Sequence, residues 1–117
     1  MLIEDDETML TLLQTLMEFE GFQVTHLNGD ESVDETMAAL RQEQPALLLL
    51  DVNLRRLDSF ELLHQIRGDS QLKVIRVLMS SGMELSKQCH QEGADGFVLK
   101  PYMPEELVGI IRRTLEE

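Results

Sequence analysis

The sequence predicts a single α/β domain, built as a doubly wound sheet of five parallel strands with helices on both faces. Two observations support this prediction. Short apolar runs alternate five times with amphipathic segments along the 117 residues, which is the pattern of repeated β–α units. In addition, the most apolar run, residues 47–50, has no polar residue in it, which is typical of a strand that helices cover on both faces.

Each of the five units begins with a predicted strand. The strands are MLI (residues 1–3), FQVTHL (22–27), PALLLLD (45–51), KVIRVLMSSG (73–82) and GFVLKP (96–101). FQVTHL is assigned from its alternation of apolar and polar residues, and the other four are assigned from the short apolar runs that they contain. Strands joined through helices in this way are expected to run parallel.

A helical pattern follows each predicted strand. The first helix contains a run of apolar residues from Met9 and stops before Gly21, and the second follows the turn NGDES and runs through Met37 and Leu40. The third is DSFELLHQIRG (58–68), with Asp58 or Ser59 as its cap. The fourth is the short ELSKQCHQEGA (84–94), and the last is PEELVGIIRRTLEE (104–117), which opens with proline and acidic residues as a helix start should.

Composition narrows the class of protein. The net charge of −12 argues against direct binding to nucleic acid or to anionic lipid, because both need a basic surface. The longest apolar run has five residues (46–50), far short of a membrane span, and the amino terminus has no basic region. A single cysteine, Cys89, fits a reducing compartment. We therefore expect a cytoplasmic protein without membrane or direct nucleic-acid contacts.

Polar residues that carry chemistry lie at the carboxyl ends of four of the predicted strands. In a parallel sheet of this kind, the functional site lies at the carboxyl ends of the strands, so these side chains should meet at one edge. The residues are Glu4 and Asp5 directly after strand one, Asp51 at the end of strand three, Ser80 and Ser81 at the end of strand four, and Lys100 at the end of strand five.

This set of side chains suits phosphoryl transfer. Clustered carboxylates repel one another unless a cation neutralises them, and carboxylate oxygens with water are the ligands that Mg²⁺ prefers. A carboxylate such as Asp51 can also attack phosphorus and form an aspartyl phosphate. Mg²⁺ and the Lys100 ammonium would then neutralise the phosphoryl oxygens, and a neighbouring hydroxyl could hydrogen-bond the new phosphate.

Simpler interpretations exist for each residue taken alone. Acidic residues after a strand often cap the next helix, and a lone lysine or serine is most often a solvated surface residue. A phosphatase of the haloacid-dehalogenase type also combines these residue types, but it needs a second aspartate two residues after the nucleophile, where this chain has Asn53. A further alternative is an interaction module that is never phosphorylated.

The ordered motifs IEDDE, LLLLDVNL, MSSG and GADGFVLKP make the whole chain resemble the receiver domain of two-component response regulators. The resemblance implies the flavodoxin-like (βα)₅ fold with strand order 2-1-3-4-5. It also implies a phosphoprotein of phosphorelay signalling that is not an enzyme in the usual sense. A histidine kinase or phosphotransfer protein would phosphorylate Asp51 with Mg²⁺ as cofactor.

The resemblance assigns a role to each matching position. Glu4 and Asp5 match the acidic metal-binding pair, and the backbone carbonyl of Asn53 completes the metal shell together with Asp51. Ser81, or alternatively Ser80, matches the switch hydroxyl, and Lys100 matches the lysine that contacts phosphate.

Two further positions match the family's switching machinery. Phe97 matches the aromatic residue that turns inward when the hydroxyl engages phosphate, although an isolated Phe on a strand is equally often a core residue. Pro101 follows the lysine, and the family makes that peptide bond cis.

The loop after Asp51 departs from the family. It reads NLRRLDS (53–59), with Arg55, Arg56 and Ser59 where the family usually has proline and glycine. The two arginines could assist docking of phosphate or of a partner, or they could simply be solvated. We expect residues 1–117 to form one receiver domain without an output domain, acting through a downstream protein or a separate output domain, with a homodimer as a further possibility.

Overall fold

The computed structural model describes residues 1–116, so Glu117, the last residue of the predicted domain, lies outside the described residues. Five strands alternate with five helices: β1 (Leu2–Ile3), α1 (Glu7–Phe19), β2 (His26–Leu27), α2 (Val33–Glu43), β3 (Leu47–Asp51), α3 (Ser59–Gly68), β4 (Arg76–Ser81), α4 (Ser86–Glu92), β5 (Gly96–Leu99) and α5 (Pro104–Glu116). All strand pairs are parallel, in the order β2-β1-β3-β4-β5. The predicted doubly wound fold and its strand order are confirmed.

The second strand is shorter than predicted. The alternation in residues 22–27 predicted a six-residue strand, but only His26 and Leu27 are in the sheet. They pair with Leu2 and Ile3, the only two residues of β1, so residues 22–25 have no strand residue of β1 opposite them. Because a strand needs a hydrogen-bonding neighbour, the length of β1 sets the length of β2, and side-chain alternation alone overestimated it.

The two faces of the sheet carry separate apolar cores. Successive strand residues point to opposite faces, so Leu48 and Leu50 pack on one side and Leu49 on the other. The first core lies against α2, α3 and α4, and the second lies against α1 and α5. Within residues 1–116, no helix is both long enough and apolar enough to cross a membrane.

Two aspartates, Asp6 and Asp58, have a structural role because they cap helices. Asp6 caps α1 by accepting a hydrogen bond from the Met9 amide at 3.0 Å, and Asp58 caps α3 by accepting one from the Glu61 amide at 3.1 Å. The third acidic residue after β1 is therefore occupied at the helix terminus, whereas the two residues before it are not.

Arg67, in the last turn of α3, ties the carboxyl end of α4 to the sheet. Its guanidinium donates to the carbonyl oxygens of Gly93 (2.8 Å) and Ile75 (2.7 Å) and to the Asp95 carboxylate (2.7 Å). Gly93 ends α4 with a φ of +112°, which favours glycine, and a Cβ there would also approach the Arg67 side chain to 3.3 Å. At the amino end of α4, Leu85 in the cap position makes no side-chain capping hydrogen bond, and its side chain packs against the first core instead.

Candidate functional site

The carboxyl ends of four strands deliver polar side chains to one edge of the sheet. Glu4 directly follows β1, Asp51 is the last residue of β3, Ser81 is the last residue of β4, and Lys100 directly follows β5. Glu4 and Asp51 are buried, with relative exposures of 4% and 7%. The strand-end positions that the sequence predicted are therefore brought together.

Lys100 bridges the two buried carboxylates. Its ammonium nitrogen lies 3.0 Å from Glu4 Oε1 and 3.1 Å from Asp51 Oδ2, and it donates a hydrogen bond to each. The Lys100 side chain is itself only 23% exposed. One cation thus compensates part of the charge of two carboxylates that would otherwise repel each other.

Burial and neighbouring charges shift the pKa values of this group. Burial raises the pKa of Glu4, and the nearby Asp51 raises it further, while the hydrogen bond from Lys100 opposes the rise. Burial by itself would lower the pKa of Lys100, but the hydrogen bonds and charges of Glu4 and Asp51 together raise it. The lysine is therefore held in its charged form, and the acidic cluster has a residual demand for positive charge.

Asp5 completes the acidic cluster but has a different cationic partner. Its Oδ2 accepts hydrogen bonds from the Arg55 backbone amide (2.9 Å) and from Arg55 Nε (3.3 Å). Arg55 Nη2 also donates to the Asp5 backbone carbonyl oxygen at 3.1 Å. The loop between β3 and α3 is thus fastened to the loop between β1 and α1.

The turn after Asp51 is held by a chain of hydrogen bonds. The Asn53 amide donates to Asp51 Oδ1 at 3.0 Å, and the Ser81 hydroxyl donates to Asn53 Oδ1 at 2.7 Å. The Ser81 Oγ in turn accepts from the Met83 amide at 3.1 Å. The Ser59 hydroxyl also donates a hydrogen bond to the Asp51 backbone carbonyl oxygen at 2.5 Å, which further holds the turn.

The two serines at the end of β4 point to opposite faces of the sheet. Ser80 is paired with Asp51 and lies with Leu49 and Glu4 around a small cavity on the α1 side. Ser81 lies on the other face, the one on which Phe97 packs half-buried against the first core. Of the two hydroxyls, that of Ser81 is the one on the Phe97 face.

The chain turns sharply after Lys100. The Lys100–Pro101 peptide bond is cis, as the resemblance implied. Tyr102 follows, and its hydroxyl is the one buried side-chain polar atom without a hydrogen-bond partner in the part of the chain that the structure describes. Burial raises the pKa of this hydroxyl.

The acidic cluster fits a divalent cation. Glu4, Asp5 and Asp51 each offer a carboxylate oxygen, and these three atoms lie within 4.8 Å of one another. An all-oxygen donor set is the chemistry that Mg²⁺ prefers. Asp6, which caps α1, is not among the three.

Sequence reasoning missed the role of Arg55. The residue was noticed because it stands in a loop where proline or glycine was expected, but its pairing with Asp5 was not predicted. The contact joins residues 50 positions apart and depends on the conformation of both loops. The available signal was a cation four residues after a carboxylate at the end of a buried strand.

Comparison with known proteins identifies relatives over nearly the whole chain. The family model described as response regulator receiver domain matches residues 1–112. The alkaline phosphatase synthesis transcriptional regulatory protein PhoP of Bacillus subtilis is 32% identical over 98% of this chain and 47% of its own length. A CheY-like response regulator receiver domain protein of Methanospirillum hungatei superposes with a TM-score of 0.84, at 26% identity, over 98% of this chain and 90% of that one.

The expectation that the protein makes no direct contact with nucleic acid is not supported by its relatives. One of them is the DNA-binding response regulator MtrA of Mycolicibacterium smegmatis, 29% identical over 98% of this chain and 49% of its own length. The expectation rested on the net charge of these 117 residues, and the chain spans only about half the length of the curated relatives it matches. A charge argument from these residues does not extend to the part of the relatives that the match leaves uncovered.

The fold, the site and the relatives agree. Five parallel strands in the order 2-1-3-4-5 bring an acidic cluster and a lysine to one edge of the sheet, and the family model extends from the first residue to the middle of α5. The chain belongs to the response regulator receiver domain family.

Proposed function

We propose that the protein is a phosphoacceptor of two-component signalling in which Asp51 accepts a phosphoryl group in a Mg²⁺-dependent step. The observation that carries this proposal is the position of Asp51, a nearly buried carboxylate with Lys100 on one oxygen and two further carboxylates beside it. A merely structural aspartate at a strand end would not need this set of neighbours.

The proposed reaction transfers a phosphoryl group from a phosphohistidine of a histidine kinase or phosphotransfer protein. An Asp51 carboxylate oxygen forms the new bond to phosphorus while the phosphorus–nitrogen bond of the donor breaks, and the imidazole leaves and takes up a proton from water. The residues that would hold Mg²⁺ are Glu4, Asp5 and Asp51, with the Asn53 carbonyl. The bound cation supplies neutralisation of the negative charge on the phosphoryl oxygens.

Lys100 and Ser81 would contact the phosphoryl group once Asp51 carries it. The Lys100 ammonium already lies 3.1 Å from Asp51 Oδ2, so it needs little movement to contact a phosphoryl oxygen. The Ser81 hydroxyl donates to Asn53 at present and can be redirected to phosphate by rotation about one bond. Because Phe97 packs on the same face, a shift of Ser81 would free space for its ring, and the altered surface would be read by a downstream protein or an output domain.

The test is phosphorylation by a small phosphodonor. We would incubate the protein with Mg²⁺ and acetyl phosphate and record intact mass spectra of the wild type, of Asp51→Asn and of Asp34→Asn. Asp34 is an exposed aspartate in the first turn of α2 and serves as the matched control. We expect one phosphoryl adduct on the wild type and on Asp34→Asn, none on Asp51→Asn, and none without Mg²⁺. No adduct on any variant would favour the unphosphorylated interaction module instead.

A further inference from the structure

We propose that Arg55 limits the affinity of the acidic cluster for Mg²⁺ by holding Asp5 as its own ion-pair partner. The inference rests on the proposed metal site and assigns a regulating residue to it. Arg55 is not one of the three carboxylates of the cluster, but three hydrogen bonds join it to one of them, Asp5.

The geometry of the pair shows how the arginine engages the carboxylate. Asp5 Oδ2 receives two N–H groups from Arg55, one from the backbone and one from Nε, and an oxygen of a carboxylate has about two acceptor positions. The third bond, from Nη2 to the Asp5 carbonyl oxygen, fixes the guanidinium over the β1–α1 loop. The Oδ2 atom is therefore saturated by one residue.

A cation that enters the cluster meets this arrangement in one of two ways. If it binds through Oδ2, it must displace the Nε donor of Arg55. If it binds through the other oxygen of Asp5, it stays close to a guanidinium of the same sign of charge. Both routes weaken binding, so the arginine acts against the divalent cation in either case.

The neighbouring Arg56 provides an internal comparison. Its side chain is 75% exposed, nearly the same as the 78% of Arg55, but it points to Asp30 at 3.7 Å. Asp30 is not part of the acidic cluster. The two arginines thus have equal charge and similar exposure, and they differ in which carboxylate they hold.

The experiment is a titration of Mg²⁺ into the metal-free protein without any phosphodonor, in which calorimetry or NMR measures the Kd for Mg²⁺. We would compare the wild type with Arg55→Gln, Arg56→Gln and Asp5→Asn, after checking by circular dichroism that each is folded. One unit charge about 6 Å from a divalent ion in a solvent-exposed setting corresponds to about a three- to tenfold change in affinity once salt screening is included. We therefore expect the Kd of Arg55→Gln to fall about three- to tenfold and that of Arg56→Gln to change by less than about twofold.

The possible outcomes distinguish a failure of the Arg55 inference from a failure of the proposed metal site. Equal tightening in Arg55→Gln and Arg56→Gln would mean that overall charge alone matters, and unchanged affinity in Arg55→Gln would mean that Arg55 does not compete; either result overturns the inference and leaves the metal site intact. Wild-type binding that Asp5→Asn does not weaken would place the cation elsewhere, and no binding by any variant would remove the proposed metal site. Both of these last results overturn the inference together with the site.

Discussion

The sharpest prediction about stability concerns Lys100, because a single ammonium compensates two buried carboxylates. We consider the replacement Lys100→Met, which keeps the length of the side chain and removes its charge. In the native protein the ammonium lies 3.0 Å from Glu4 and 3.1 Å from Asp51. At charge separations of about 4 Å and an effective dielectric constant of about 20, each attraction amounts to roughly 4 kcal/mol before desolvation.

The net effect is smaller because burial of the lysine offsets much of this attraction. Breaking a buried ion pair by removing one partner costs about 3–5 kcal/mol, and the Lys100 side chain is 23% exposed, so the lysine is not fully removed from water. We expect the free energy of unfolding of metal-free Lys100→Met to be about 2–3 kcal/mol below that of the wild type at pH 7.5.

The pH dependence of the stability loss in Lys100→Met tests this account of the charge balance. The pKa of Lys100 is raised in the folded protein, so its stabilising contribution is fully present at pH 7.5 and is lost only as the pH rises through that raised pKa. In Lys100→Met the destabilisation should shrink at acidic pH, because Glu4, whose pKa burial already raises, takes up a proton. Urea unfolding at pH 7.5 and pH 5 measures both, with exposed Lys87→Met as the control. A destabilisation under about 0.5 kcal/mol, or one independent of pH, would refute this account of the charge balance.

Three further predictions follow from single contacts. Tyr102→Phe should leave the free energy of unfolding unchanged or raise it by about 1 kcal/mol, because it removes a buried hydroxyl without a partner among residues 1–116; a clear loss in thermal unfolding would show that the hydroxyl is bonded. Ser32→Ala should lower it by about 1 kcal/mol, because Ser32 and Glu35 cap α2 reciprocally; urea unfolding without such a loss would contradict this. Glu4→Gln should raise the free energy of unfolding of the metal-free protein at pH 7.5 by about 1 kcal/mol. The pKa of Glu4 is raised in the folded protein, so at pH values above its pKa in the unfolded chain the ionisation of this carboxyl opposes folding. The gain should fade toward pH 4.5, and a loss of stability at pH 7.5 would exclude this cause.

Much of the fold and the site could be predicted from sequence because both follow from strand direction. Parallel strands end at the same edge, so residues after each apolar run had to lie near one another whatever the details of the loops. This reasoning brought Asp51 and Lys100 together across 49 positions. The resemblance assigned the acidic pair to Glu4 and Asp5, and the next acidic residue, Asp6, caps α1 in the structure.

The remaining features depend on geometry that side-chain patterns do not encode. The face of the sheet on which Ser80 and Ser81 each lie needed the register of β4 against β3, since one residue of shift exchanges the faces. The pairing of Arg55 with Asp5 needed the conformation of two loops. The length of β2 could be predicted only from the length of β1, because the apolar alternation of residues 22–27 begins before the chain enters the sheet at His26.

The unequal anchoring of α4 has a mechanical consequence. At its carboxyl end, Arg67 holds Gly93 and the sheet with three hydrogen bonds, whereas at its amino end the preceding loop is attached to β4 through the Met83 amide and the Ser81 hydroxyl. The helix is about 10 Å long, and Cys89 in its middle is buried in the first core, so apolar packing holds its length while its polar anchors differ between the two ends. A displacement of Ser81 would therefore reach the loop before α4 first, and the Gly93 end, which Arg67 holds, would be affected least.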